Sequence, residues 1–314
     1  MLSFLARRLG GLAATLLATA LVVFLVLEIL PGDPAAVVLG LGATPENLAA
    51  LRADFGLDRP APERFLRWIG GLLTGDLGTS YTYRVPVADL ILERMAVTLP
   101  LAVAAILCAA GIGIPLGLYA AANANRAGDV GVMLFAQVGL AVPNFWFGIL
   151  LVLAFSVGLG WMPSGGFPGW ENGVPAAARA LVLPTLALAL PQAAILARVT
   201  RSATLEALQE DWVRTARAKG LTARQTLTRH VLRNALVPVV TILGLQFSFL
   251  VAGAIVIENV FSLPGLGRLV FQAIGQHDII VVKDLVVVFA AMVVTVNVAV
   301  DIAYGLVDPR LRRR

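Results

Sequence analysis

The side chains in this sequence that could do chemistry are few. Residues 211–238, DWVRTARAKGLTARQTLTRHVLRNALVP, gather Arg214, Arg217, Lys219, Arg224, Arg229 and Arg233 around Gly220. Such a segment can hold anionic lipid headgroups through its charge. It can also dock another protein, because Ala216, Ala218 and Gly220 are small enough for a groove to close around them. The two histidines, His230 and His277, have no paired acid beside them in an apolar run, and there is neither an H-E-x-x-H pair nor a G-x-x-x-x-G-K-[ST] phosphate loop. Metal-assisted hydrolysis and nucleotide hydrolysis therefore find no matching residues. Cys108 is the single cysteine, which excludes an intramolecular disulfide and a cysteine-based metal cluster and suits a small buried hydrophobe. Four polar positions inside apolar runs stand out: Glu28, Glu258, and Asp301 with Asn297 one turn before it. Buried charges in such runs face protein or water, and these acids sit near the ends of their runs, as helix-packing or interfacial groups would. Asn144 and Gln246 are amides in apolar surroundings and must find partners, either on neighbouring helices or along a polar lining.

The elements that hold these residues are read from hydropathy. The 314 residues are 59% hydrophobic and 14% charged, with a mean hydropathy of +0.86, against about 25% charged in ordinary soluble domains. The chain belongs in a membrane. Its net charge of +5 does not point to nucleic acid, since the basic residues lie in connections and at the C-terminus. Six stretches are long and apolar enough to span a bilayer: 9–30, 98–121, 131–158, 181–199, 236–257 and 285–306. The first is read as an uncleaved span, because the apolar run continues past the small residues ATA at 18–20. Arg7 and Arg8, the arginines of 198–235, and Arg310 and Arg312 to Arg314 place both termini and that connection in the cytoplasm by the positive-inside rule. Residues 31–97 then form a long extracytoplasmic loop, helical from Thr44 as N-cap with Glu46 in the first turn, and turning through the glycines of GGLLTGDLGTSY. Gly111, Gly113, Pro115, Gly117, Pro143, Pro184 and Pro191 allow close packing or kinks within spans.

The basic segment resolves into two helices. Leu205, Leu208, Trp212 and Ala216 follow helical spacing across 203–219, which predicts one amphipathic helix outside the bilayer. Gly220 supplies its stop. Thr222 and Gln225 have the spacing of a capping box, so a second helix starts at once and runs into the fifth span near Pro238.

These residues carry a resemblance. The segment 211–238 resembles the cytoplasmic loop of permease subunits of ATP-binding-cassette importers, in the branch that includes dipeptide, oligopeptide and nickel permeases. FLVLEILPGDPA, LRADFGLDRP, GDLGTSY, VPNFWFGILLVLAFS, WMPSGG, NVFSLPGLGRL and DPRLRRR agree in order along nearly the whole chain. The wider importer group has a Glu-Ala-Ala signature with a glycine four residues after its last alanine. Here the window reads Arg214, Thr215, Ala216 and then Gly220, with Arg233 where the general pattern ends in proline.

The resemblance implies an all-α membrane protein of six transmembrane helices, divided into 1–97, the first helix and the external loop, and 98–314, a five-helix permease core with the coupling loop 200–235. It implies a bacterial inner-membrane location and an ATP-driven importer of di- or oligopeptides, or alternatively of nickel or another solute. A second permease, as a heterodimer, would complete the translocation path in contact with membrane lipids, two cytoplasmic ATP-binding subunits would hold ATP and Mg, and an extracytoplasmic binding protein would deliver cargo. This chain would bind no cofactor and no metal and would catalyse no reaction. The ATPase-coupling residues on this reading are Trp212, Thr215, Ala216, Ala218, Lys219 and Gly220, and Asn144 and Gln246 would line the path. A gradient-driven secondary transporter is the alternative from another class, but it would call for inverted repeats and acids at the midplane.

Overall fold

The computed structural model describes residues 2–29, 32–40 and 43–307. Its helices are α1 (Leu2–Ile29), α2 (Pro34–Leu39), α3 (Pro45–Asp54), α4 (Ala61–Thr74), α5 (Val87–Ala122), α6 (Ala127–Ala141), α7 (Asn144–Leu151), α8 (Val174–Leu208), α9 (Asp211–Ala218), α10 (Ala223–Thr226), α11 (Leu232–Val260), α12 (Leu266–Gly275) and α13 (Ile279–Val307). Five helical segments are long and apolar enough to cross a membrane: Arg7–Ile29, Val87–Ala122, Val174–Leu208, Ala223–Val260 and Ile279–Val300. The expected third span is a bent pair, α6 followed by α7 with a π-helical continuation to Gly158, and the chain bends by 101° between them. Pro143 explains the break. It holds φ −60° and ψ 136° directly before α7, and Val142 ahead of it is extended at φ −88°, as a residue preceding proline prefers.

The spans outrun their apolar cores. α5 has 36 residues, about 54 Å at the helical rise, against a hydrocarbon core of about 30 Å. Its first turns carry Asp89, Glu93 and Arg94, so the helix continues through polar surroundings before the apolar stretch begins.

Two compact units divide the chain, Met1–Thr98 with Pro264–Thr295, and Leu99–Leu263 with Val296–Arg314. In the first, Ala20 and Phe24 of α1, Phe65 and Trp68 of α4 and Val287 of α13 form a hydrophobic cluster. Trp68 donates its indole N–H to Asp284 Oδ1 at 2.6 Å, which satisfies one oxygen of a fully buried carboxylate. Thr44 caps α3 as its spacing predicts, accepting from the Asn47 N–H. The run GGLLTGDLGTSY is helical through Thr74 and turns only from Gly75, whose φ is +81°. Beyond that turn, Ser80 Oγ donates to Asp278 Oδ2 at 2.5 Å, and the Thr82 N–H donates to the same oxygen. Asp278 precedes α13, so one carboxylate ties the GDLGTSY loop to the start of the last span. Glu28 meets Arg64 in an ion pair.

In the second unit α8 is the hub, packing on α6, α7 and α11. Ala109, Ala189, Ala193, Leu196 and Val239 make its buried centre. Gly113 and Gly117, four residues apart on α5, lie flat on α8: a Cβ on Gly113 would stand 2.6 Å from the Ala193 carbonyl oxygen. Elsewhere in the unit Phe261 receives Gly148 against its ring, and its carbonyl accepts the Gly166 N–H at 2.7 Å. The motifs VPNFWFG, WMPSGG and NVFSLPG are thus parts of one contact.

Candidate functional site

The basic segment forms a corner whose construction starts from its apolar residues. The single amphipathic helix expected over 203–219 is instead two pieces: α8 continues to Leu208, Glu210 turns extended at φ −68° and ψ 145°, and α9 starts at Asp211. The helical spacing from Leu205 to Ala216 survives this break, so hydrophobic periodicity could not register it. The buried side chains beneath the corner are Ala207, Val213 and Val231, with Leu208, Trp212 and Leu227 packed against them. Val213, only 1% exposed, is the main anchor of α9 and was absent from the sequence reading.

At the far end of α9 the chain reverses. The Gly220 N–H donates to the Arg217 carbonyl at 2.9 Å and the Leu221 N–H to the Ala216 carbonyl at 3.3 Å. Gly220 takes φ +88°, in the left-handed region where a side chain is strained, yet a Cβ there would meet no atom within 4 Å. Glycine is needed here for its backbone, and the space over it is open. The expected capping box then forms: the Gln225 N–H donates to Thr222 Oγ1, and Gln225 Oε1 accepts the Thr222 N–H at 3.0 Å. Nine residues later, through the π-helical residues Leu227–Val231, this helix becomes α11.

The proposed contact residues separate by exposure. Trp212 is half-buried and Ala216 buried, so both brace α9 from below. Thr215, Ala218, Lys219 and Gly220 are exposed, as are Arg214, Arg217, Arg224, Arg229 and Arg233. The corner is therefore a short apolar-backed helix that presents small and cationic side chains outward. His230 is exposed beside it.

The two amides lie apart from this corner. Asn144 opens α7, and its Nδ2 is 2.9 Å from where a Cβ on Gly253 of α11 would sit. Gln246 is 4% exposed on α11 with its Nε2 unpaired. Gln246 and Gly253 are seven residues apart and share a face of α11, so Asn144 packs about two turns along the helix from Gln246. The structure puts both amides on the α7–α11 side of the unit without joining them.

Sequence reading missed several buried polar groups. Asp129 of α6 receives Arg201 of α8 in a two-point ion pair, Nε to Oδ1 at 2.5 Å and Nη2 to Oδ2 at 2.7 Å, and also accepts the Asn125 N–H. Its residues fell just outside the expected spans 131–158 and 181–199 and read as connection. Gln192, buried on α8 with an unpaired Oε1, had a legible signal as an amide in an apolar run. Asp284 and Asp278 were hidden among the turns preceding the last span. Among the earlier candidates, Glu258 is fully buried, whereas the Asp301 side chain and Arg310 and Arg312 to Arg314 lie outside the described residues.

Five apolar helices, one span broken at proline and a capped basic corner leading straight into another span define a polytopic membrane protein. The chain belongs to the family described as binding-protein-dependent transport system inner membrane component, whose pattern matches residues 113–313, and the family's N-terminal region matches residues 1–102. It is thus a multi-pass inner-membrane permease of the ATP-binding-cassette importers, in the peptide and nickel branch. A Brucella abortus protein named as a peptide transport system permease is 42% identical over 312 residues, 99% of each chain. A glutathione transport system permease of Salmonella paratyphi A is 40% identical over 312 residues, again 99% of each. Among solved structures, the inward-facing MetNI methionine ABC transporter aligns with a TM-score of 0.57 at 21% identity, covering 70% of this chain and 96% of that one. That likeness supports the fold.

Proposed function

We propose that this chain forms one half of the translocation path of an importer for short peptides and is driven through the corner at 211–222. In this reading residues 1–97 supply the first span and an external element, and residues 98–314 the permease core. A second, different permease completes the path, with lipid around both. Of the two cytoplasmic ATPases, one grips α9 through Thr215, Ala218, Lys219 and Gly220, with Trp212 and Ala216 as the brace behind them, and the other serves the second permease. ATP and Mg belong to those partners, and this chain carries no cofactor. Both termini and the corner face the cytoplasm, and an external binding protein delivers the cargo opposite. Asn144 and Gln246 border the path.

The observation that supports this reading best is the corner itself: an anchored helix ending in a glycine whose open side has no occupant among the described residues. A lipid anchor would need the arginines and not that geometry. Short peptides are the favoured cargo because relatives at 40–42% identity over 99% of the chain are named for peptide and glutathione transport, and glutathione is itself a tripeptide.

The test is gentle solubilisation of the tagged chain with mass spectrometry of what accompanies it, alongside Gly220→Leu. The native chain should bring an ATPase with a phosphate loop and a second six-span permease. Gly220→Leu should lose the ATPase and peptide uptake. Full uptake with the ATPase retained in the variant would refute the assignment, and a solitary chain active in gradient-driven uptake would favour a secondary transporter.

A further inference from the structure

The unit built from Met1–Thr98 and Pro264–Thr295 encloses a cavity of about 790 Å³ that the transport reading does not use. Its size falls within the few hundred to about 1,000 Å³ typical of small-molecule sites. Its walls combine the aromatic rings of Phe24, Phe55, Trp68 and Tyr81 with a ring of charges.

The lining balances five acids, Glu28, Asp33, Asp54, Asp58 and Asp76, against five cations, but not all of them are paired. Arg52 pairs with Asp33, Arg64 with Glu28, and Asp54 with Arg84. Arg59 and Arg67 share a single carboxylate, Glu63, at 2.8 and 3.2 Å. Lys283 of α13 has its ammonium 4.8 Å from the centre of the Trp68 ring and no carboxylate within ion-pair distance among the described residues. The adjacent Asp284 turns toward the Trp68 N–H instead. On the acidic side, Asp76 accepts the Gly78 N–H, and Asp58 is exposed with no ion pair among the described residues. The lining thus holds an unpaired cation on an aromatic floor, the unpaired acid Asp58, and Arg59 and Arg67, which share Glu63 outside the lining. An incoming carboxylate gains a charge-assisted hydrogen bond there without breaking an existing pair.

We propose that this cavity is an external subsite that receives the free carboxylate of a short peptide on Lys283. The proposal rests on the peptide and topology readings above, which place the cavity on the side where cargo arrives.

The sequence makes the test clean, because its only two lysines are Lys219 in the coupling corner and Lys283 in the cavity. Spheroplasts carrying the full importer, washed free of binding protein, are treated with a membrane-impermeant amine-acylating reagent, and both lysines are followed by mass spectrometry. Lys283 should be acylated and Lys219 spared. With the reagent in large excess over the peptides' own α-amines, dialanine should slow acylation of Lys283 roughly fivefold at about four times its dissociation constant, whereas dialanine amide, lacking the carboxylate, should not. In uptake, Lys283→Gln should lose several-fold for dialanine and little for the amide.

Equal protection by acid and amide, or none by either, overturns the subsite while leaving topology intact. So does an unreactive Lys283, or an equal loss of uptake for both peptides. Protection of Lys283 by ligand-free binding protein would show a docking pocket in place of a peptide subsite. Acylation of Lys219 from outside, with Lys283 spared, would instead refute the topology.

Discussion

Asp129 and Arg201 illustrate what a single residue contributes here. The Asp129 side chain is 5% exposed and that of Arg201 23%, so the pair joins α6 to α8 in surroundings that screen it weakly. Removing one partner of a buried pair leaves a charge without compensation. Asp129→Asn keeps an acceptor for the Asn125 N–H, so it isolates the ion pair. It should destabilise the unit by about 3 kcal/mol, the low end for breaking a buried pair because Arg201 reaches solvent. The double variant Asp129→Asn with Arg201→Met should recover most of that loss. Unfolding of the solubilised chain, compared across the cycle, checks both expectations; additive losses would mean that the two residues act separately.

At the scale of elements, α5 and α8 meet through glycine. A Cβ at Gly117 would stand 2.5 Å from the Ala197 carbonyl oxygen, while one at Gly111 would meet nothing within 4 Å. Packing between membrane helices depends on such close approach, with small residues four apart. Gly113→Val and Gly117→Val should each lower thermal stability by roughly 1–3 kcal/mol through overpacking, and Gly111→Val should be nearly silent; a melting series in detergent decides this. Five of the six expected spans and the caps at Thr44 and Thr222 were legible because each depends on local composition or a three-residue spacing. The break at Gln209 and Glu210 was not, since an apolar stripe can continue across a two-residue turn. Nor was the Asp129–Arg201 pair, whose members are 72 residues apart and read singly as loop charges. Pro143 signalled a kink, but its angle depends on how α7 packs against α8 and α11.

For the whole molecule, the helix that leaves the proposed corner at the Thr222 cap and the fifth span are one continuous piece, Ala223–Val260. If this piece transmits force, softening it should uncouple transport without releasing the ATPase. Thr228→Gly with Arg229→Gly places two glycines at exposed positions of its π-helical turn, at a helix-propensity cost of roughly 1 kcal/mol each. The expected result is a complex that still copurifies with its ATPase and hydrolyses ATP but imports less peptide per ATP, measured in proteoliposomes. An unchanged ratio would mean that force enters by another route.

The 38 residues from the Thr222 cap to Val260 make a rod about 57 Å long at the helical rise. A rod of that length is a lever. Pivoted at its capped end, a tilt of about 5° sweeps the opposite end through roughly 5 Å, close to the pitch of one helical turn. A partner that moves this corner by a few degrees can therefore shift Glu258 and Phe261, at the other end of the rod, far enough to exchange one set of packing neighbours for another.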